Sequence, residues 1–200
     1  DELGFVRMTN GGQNIFIATR DGLAIQFKEE GVRAMGRNAR GVKAINMREG
    51  DRVIDMAIVD KDSRILTVTE TGYGRISSIA DYRIQSRGGK GLTNYRTDKY
   101  GKVAATIPVT ENDDIIMIAS NGIVIRIFAG DISQFNRPAK GVRVMRVAEG
   151  EKILSVALTE HNEEEVTEKP EEADADAGDS EETAEEIALS NEAPLEDNEE

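Results

Sequence analysis

Ile65-Leu66-Thr67-Val68-Thr69-Glu70-Thr71-Gly72 decides the fold, because its pattern returns fifty residues earlier and fifty residues later. Ile15–Thr19 leads into Asp21-Gly22, and Ile115–Ala119 leads into Asn121-Gly122, so Gly22, Gly72 and Gly122 keep one spacing. Gly41, Gly91 and Gly141 share that interval. So do Arg37, Arg87 and Arg137, each followed three residues on by Arg40, Lys90 or Lys140. A fixed period of this size marks a repeat architecture in which each unit is one supersecondary module.

Each unit begins as a hairpin. Asp-Gly and Asn-Gly between β-rich runs predict a two-residue type I′ turn, whose central positions both need φ > 0. A loop then leads to a third run, in Val42–Met47, Leu92–Tyr95 or Val142–Val147. A fourth follows in Val53–Val59, Val103–Val109 or Ile153–Leu158. Four strands per repeat result. Leu3–Thr9 aligns at the same interval with the fourth run, so residues 1–10 read as the last strand of a preceding unit in a longer protein. Runs such as Ile115-Ile116-Met117-Ile118 are apolar on both faces, as required of a sheet packed between two neighbours. The predicted fold is therefore all-β, a β-propeller or β-pinwheel of four-stranded blades forming a partial ring. Without the repeat, a single β-sandwich or barrel fits the strand spacing equally well. Blades are expected at residues 11–60, 61–110 and 111–160, with a disordered tail at 161–200. Three blades leave two apolar faces to be covered by further blades or a partner.

Charge divides the chain at the same place. From Glu160 to Glu200 there are 19 acidic residues and one base, Lys169, which leaves residues 1–159 with 24 basic and 19 acidic residues, a net of +5. The sequence pI of 4.7 hides a basic body behind an acidic tail. There is no cysteine, which excludes disulfides, thiolate nucleophiles and zinc-thiolate sites and fits a cytoplasmic setting. No apolar stretch approaches the ~18 residues of a membrane span, and the N-terminus lacks a signal-peptide pattern.

The middle repeat reads Gln85-Ser86-Arg87-Gly88-Gly89-Lys90-Gly91, preceded by Asp81-Tyr82-Arg83-Ile84. Gln, a basic residue, Arg-Gly-Gly, a basic residue and Gly is a box that resembles the signature of the DNA gyrase A C-terminal domain. Thr69–Gly74, Gly130-Asp131-Ile132-Ser133 and Gly141-Val142-Arg143 are similar to that family as well. The likeness covers residues 1 to about 160. Ser86 stands where the family's full box has a basic residue, and that full box belongs to the first of six blades. The loop at 85–91 therefore reads as a degenerate copy in about the fifth blade.

The resemblance implies a DNA-wrapping module of an ATP-dependent type II topoisomerase, in a heterotetramer of the gyrase A and gyrase B proteins. It implies a bacterial, nucleoid-associated setting. ATP and magnesium are expected elsewhere in the parent enzyme, with no cofactor, metal or catalytic residue in this segment. The topoisomerase IV C-terminal domain shares the blades but generally lacks the box. A protein-interaction propeller with a basic edge is the alternative from another class.

The residue chemistry agrees with duplex DNA. Consecutive glycines let backbone N–H groups approach an anion, and Arg87 and Lys90 add side-chain donors suited to phosphate oxygens. The loop is not a P-loop, because Lys90 is followed by Gly91 instead of Ser or Thr. Gln85, Arg87, Gly88, Gly89, Lys90 and Gly91 are the candidates in the box. Arg37, Arg40 and Lys43, with Arg137, Lys140 and Arg143, occupy the same part of the other units. In a ring they would form a basic stripe on one rim, engaging ~6–8 phosphates without reading sequence.

Read alone, the glycines would only shape a corner between blades. His161 is read as a solvated side chain and Asp113-Asp114 as turn chemistry. None of Tyr73, Tyr82, Tyr95 and Tyr100 has the surroundings of a DNA-cleaving tyrosine. The tail has the composition of a disordered segment; it reads either as a solubilising tail or, beside a basic rim, as a competitor of DNA.

Overall fold

The computed structural model describes residues 2–137 and 139–162. The expectations for the acidic tail lie outside the described residues. The first repeat supplies β1 (Asn14–Thr19), β2 (Leu23–Lys28) and β3 (Val53–Val59); the second, β4 (Arg64–Thr69), β5 (Tyr73–Ser78), β6 (Leu92–Thr93), a short helix α1 (Thr97–Tyr100) and β7 (Val103–Val109). The third supplies β8 (Asp113–Ala119), β9 (Val124–Phe128), β10 (Val142–Arg143) and β11 (Ile153–Glu160). Single 3-10 turns at Glu29–Gly31, Ile79–Asp81 and Ala129–Asp131 follow the three hairpins at the same interval.

The hairpins stand where the period puts them, with Ile17 opposite Ile25, Leu66 opposite Ile76 and Met117 opposite Ile125. Their turns differ from the type I′ expectation. No non-glycine residue has positive φ, while Gly22, Gly72 and Gly122 lie at φ 80°, 87° and 85°. The N–H of each donates to the carbonyl three residues back, on Thr19, Thr69 and Ala119, at 3.0–3.1 Å. This is a longer hairpin loop in which a tight turn is closed by a left-handed glycine. Glycine alone accepts that conformation without a Cβ penalty.

The sheets run β3-β1-β2-β6, β10-β5-β4-β7 and β11-β8-β9, all with antiparallel neighbours. The third run of each repeat therefore does not join its own hairpin. Leu92-Thr93 pairs with Ala24-Leu23 of the first repeat, and Val142-Arg143 pairs with Gly74-Tyr73 of the second. Each repeat closes the sheet before it. The reason is the loop after the 3-10 turn, which carries the chain back across the preceding hairpin: Asn94 and Tyr95 N–H both donate to Gly22 O, and Val144 and Met145 N–H both donate to Gly72 O.

The two ends of the series follow from this exchange. Val42–Met47 has no earlier hairpin to join among the described residues, and only Ile45 forms a bridge, to Gly89. The third sheet has three strands, and its β9 edge leaves Ile123 and Val124 51% and 58% exposed. Leu3–Thr9 forms no strand, with Leu3 and Met8 86% and 91% exposed. The described residues supply no hairpin on which it could pair.

Apolar packing lies between and within the blades. The largest cluster joins Leu66, Val68 and Ile76 of the second sheet to Ile115, Met117 and Ile153 of the third and to Val144 and Met145. A second joins Phe16, Ala18 and Ala57 of the first sheet to Ile65, Ile79 and Tyr82. Neighbouring sheets thus cover each other's apolar faces, which explains strands that are apolar on both sides.

A polar network sits in this interior. The Asn94 side chain accepts from Tyr82 Oη at 2.6 Å and from Arg75 Nη2 at 3.2 Å, and it donates to the hydroxyls of Thr67 and Thr106 at 3.3 Å. Arg75 is fully buried and donates to the carbonyls of Asn94 and Arg137. Its guanidinium lies 4.7 Å from the centre of the Tyr95 ring, and no carboxylate pairs with it among the described residues. Burial lowers the Arg75 pKa and raises that of Tyr82.

Candidate nucleic-acid interface

The chain leading into the two closing strands, β6 and β10, carries basic residues. β6 and β10 are edge strands on the same side of successive four-stranded sheets. Lys90 enters the first of them, Lys140 enters the second, and Arg143 lies in it. All three are exposed, as are Arg37, Arg40, Lys43 and Arg87. None of the seven pairs with a carboxylate among the described residues. Cations left without acid partners on a repeated edge make a surface that attracts an extended polyanion.

The box-like loop is built differently from the anion cradle its sequence predicts. Gly88 N–H donates to Ala44 O at 2.6 Å, Gln85 N–H donates to Gln26 O at 2.8 Å, and Gly89 O accepts from Asn46 N–H at 2.8 Å. These backbone groups tie the loop to the first repeat. A Cβ on Gly91 would stand 2.6 Å from Ala24 O, and one on Gly141 would stand 2.2 Å from Gly74 O. The repeated glycine is there because the returning chain must lie directly on the preceding hairpin. Gly41, which has no such hairpin beneath it, meets nothing within 4 Å.

The side chains divide into two groups. Lys90 shares an open groove of about 430 Å³ with Asn46, Arg48 and Thr93. Arg87 donates from Nε to Gly31 O at 2.9 Å and lines a larger depression with Lys28, Gln85 and Ser86. Arg137, in contrast, is turned into the blade junction. Its Nη1 donates to Thr93 O, its backbone N–H donates to Asp81 Oδ2 at 3.2 Å, and its guanidinium lies 6.0 Å from the Tyr82 ring centre.

Lys140 and Arg143 meet two tyrosines that the period does not reveal. Lys140 Nζ is 4.0 Å from the Tyr73 ring centre and 5.4 Å from that of Tyr100. Arg143 lies 5.0 Å from the Tyr73 centre and donates from Nη2 to Tyr73 Oη at 2.8 Å. Hydrogen bonds from Lys140 and Arg143 hold the Tyr73 hydroxyl below the usual tyrosine pKa. Behind them Tyr95 packs edge-on to Tyr100 at 6.1 Å and donates to Lys140 O, and burial pushes its own pKa up to about 12. The first repeat has Leu23 where the second has Tyr73, so a search for repeated positions passes over this group.

His161 is not a free solvated side chain. β11 carries it past the start of β8, where Nδ1 lies 2.8 Å from Asp114 Oδ1 and the ring packs 4.3 Å from Phe128. Asp114 is buried and also accepts from Arg126 Nε at 2.7 Å. Burial raises its pKa, but the His161 and Arg126 hydrogen bonds outweigh that and hold the carboxyl below its ordinary range. Asp113 does serve the turn, accepting from Thr110 N–H at 2.6 Å. Among the described residues no cluster of His, Cys, Asp or Glu could hold a metal, and no helix is long and apolar enough to cross a membrane.

Comparison with known proteins converges on one family. Residues 13–60, 63–110 and 113–160 each match the DNA gyrase C-terminal domain, beta-propeller. The A subunit of DNA gyrase from Staphylococcus epidermidis is 40% identical over 160 residues, covering 78% of this chain and 18% of that protein. Its Staphylococcus aureus counterpart is 39% identical over 176 residues, covering 86% of this chain and 20% of its own length. The chain thus spans about a fifth of these relatives. Among solved structures, a C-terminal domain of DNA topoisomerase IV superposes with a TM-score of 0.72 at 25% identity, covering 77% of this chain and 49% of that one. A DNA gyrase A C-terminal domain superposes at 0.66 with 27% identity, covering 74% and 50%. With all three repeats matched in sequence and the blades matched in space, the chain belongs to the DNA gyrase C-terminal, beta-propeller family.

Proposed function

We propose that this chain binds and bends duplex DNA along the basic edge of its blades, as the DNA-wrapping part of a gyrase A protein. The observation that carries the reading is the recurrence, at or just ahead of the closing strands, of exposed cations without acid partners among the described residues: Lys90, Lys140 and Arg143. Such an edge neutralises phosphates at regular intervals and bends the duplex without reading bases. In the parent enzyme the wrapped segment is handed to a strand-passage site formed elsewhere, with the remainder of the gyrase A protein and with the gyrase B protein supplying tyrosine cleavage and ATP chemistry. This segment contributes no catalytic residue. Its setting is the bacterial nucleoid.

The topoisomerase IV superposition supports a second reading, a C-terminal domain that binds DNA without fixing the handedness of the wrap. The box-like loop at Gln85–Gly91 favours gyrase. Relaxing a closed plasmid with a type I topoisomerase in the presence of the chain separates the two: a one-directional shift of topoisomers supports gyrase-type wrapping. Retarded DNA with no shift supports the second reading, and no retardation at low salt removes both.

A further inference from the structure

The two closing strands are not equivalent. At the junction of the second and third repeats, Lys140 and Arg143 converge on Tyr73 and Lys140 also approaches Tyr100, whose ring centre is 6.2 Å from that of Tyr73. At the junction of the first and second repeats, the residues fifty places earlier are Lys90, Thr93, Leu23 and Gly50. Of these four only Lys90 is a cation and none is aromatic; the base that shares its groove, Arg48, has no ring to hold it.

We propose that Tyr73, Tyr100, Lys140 and Arg143 form a clamp for a DNA phosphodiester that anchors the duplex more tightly at this junction than at the Lys90 junction. The proposal rests on the DNA-binding reading and adds two tyrosines and an order of strength to it. Three physical points support it. Lys140 and Arg143 have no carboxylate partner among the described residues, so a phosphate does not have to displace one. The rings hold both cations close together before the ligand arrives, which reduces the rotamer entropy lost on binding. The three groups also differ in kind: an ammonium, a planar guanidinium and a phenol hydroxyl supply converging donors to one phosphate, and charge-assisted bonds of this sort exceed neutral ones in strength. Tyr73 Oη accepts from Arg143 in the free protein and turns donor when a phosphate oxygen takes the guanidinium.

The test uses the whole chain and a fluorescently labelled duplex of arbitrary sequence. Lys140→Ala and Arg143→Ala each weaken binding about tenfold and lower the salt slope by about one, whereas Lys90→Ala weakens it about threefold. Tyr73→Phe, which keeps the ring platform and removes only the hydroxyl, weakens binding about threefold with an unchanged melting temperature. A second readout takes Tyr73→Phe as its blank: a bound phosphodiester beside the phenol disfavours its deprotonation, so the part of the ultraviolet titration that Tyr73→Phe lacks moves to higher pH when the duplex is bound. Wild-type chain that fails to bind at low salt overturns the DNA reading. Wild-type chain that binds, with Lys140→Ala no weaker than Lys90→Ala or with no movement of the phenol titration, overturns the clamp and leaves the DNA reading standing.

Discussion

Met145 O lies so close over Gly72 that a Cβ on the glycine would stand 2.1 Å from it. Gly22 is placed the same way beneath Tyr95 O, at 2.3 Å, while Gly122 meets nothing within 4 Å. The contrast follows from strand exchange between repeats. Gly72→Ala and Gly22→Ala must therefore displace a backbone strand as well as strain a positive φ, and each is expected to cost about 3 kcal/mol or more. Gly122→Ala carries only the conformational penalty, about 1 kcal/mol. Urea unfolding of the three variants measures the difference, and equal losses would show that the exchanged strands do not hold the blades together.

Asn94 joins four side chains that have few other partners in the interior. Its replacement by Ala leaves Tyr82, Arg75 and two threonines short of buried hydrogen bonds. Such orphaned groups, one of them a cation, cost about 3–5 kcal/mol in total. The Lys61–Asp62 pair is the opposite case, 3.9 Å apart with both side chains almost fully exposed, and Lys61→Ala should leave the melting temperature unchanged. Thermal denaturation of both variants checks the contrast.

Asp55 lies buried on β3, and desolvation raises its pKa from 3.8 to about 6 despite a hydrogen bond from Met56 N–H at 2.8 Å. The folded state then holds this proton more tightly than the unfolded chain does. Its contribution is neutral below pH 4, falls as pH rises from about 4 to about 6, and levels off above that, about 2–3 kcal/mol lower. Asp55→Asn keeps an acceptor for Met56 and carries no charge. The variant is expected to be more stable than wild type at pH 8 and equal to it near pH 3.5, as read from unfolding curves at the two values.

The hairpins were legible because runs such as Ile115–Ile118 are apolar on both faces and because Gly22, Gly72 and Gly122 punctuate the repeats at one interval. The sheet that the third run joins was not legible. Leu92-Thr93 lies against Leu23-Ala24, about seventy residues earlier, and a strand given to a neighbouring repeat has the same composition as one kept at home. The turn was half legible, since the glycine was placed correctly while Asp21, Thr71 and Asn121 keep negative φ. For the surface, the period found Lys90 and Lys140. It could not find Tyr73 or Tyr100, which occur at one junction only, nor show that Arg137 turns inward onto Thr93 O. His161 carried no pattern at all, because its partner Asp114 is 47 residues away and meets it only through β11.

If the basic residues at the closing strands hold duplex DNA through its phosphates, binding must weaken steeply as salt rises. The affinity of the chain for a duplex is measured across a series of monovalent salt concentrations, beside the variant Lys90→Ala, Lys140→Ala. If ~6–8 phosphates are engaged, the logarithm of the binding constant falls with the logarithm of salt at a slope of about −5 to −7, and the variant loses about one unit of slope for each lysine removed. A wild-type slope near zero, or a variant that matches the wild type at every salt concentration, would contradict phosphate binding by these residues.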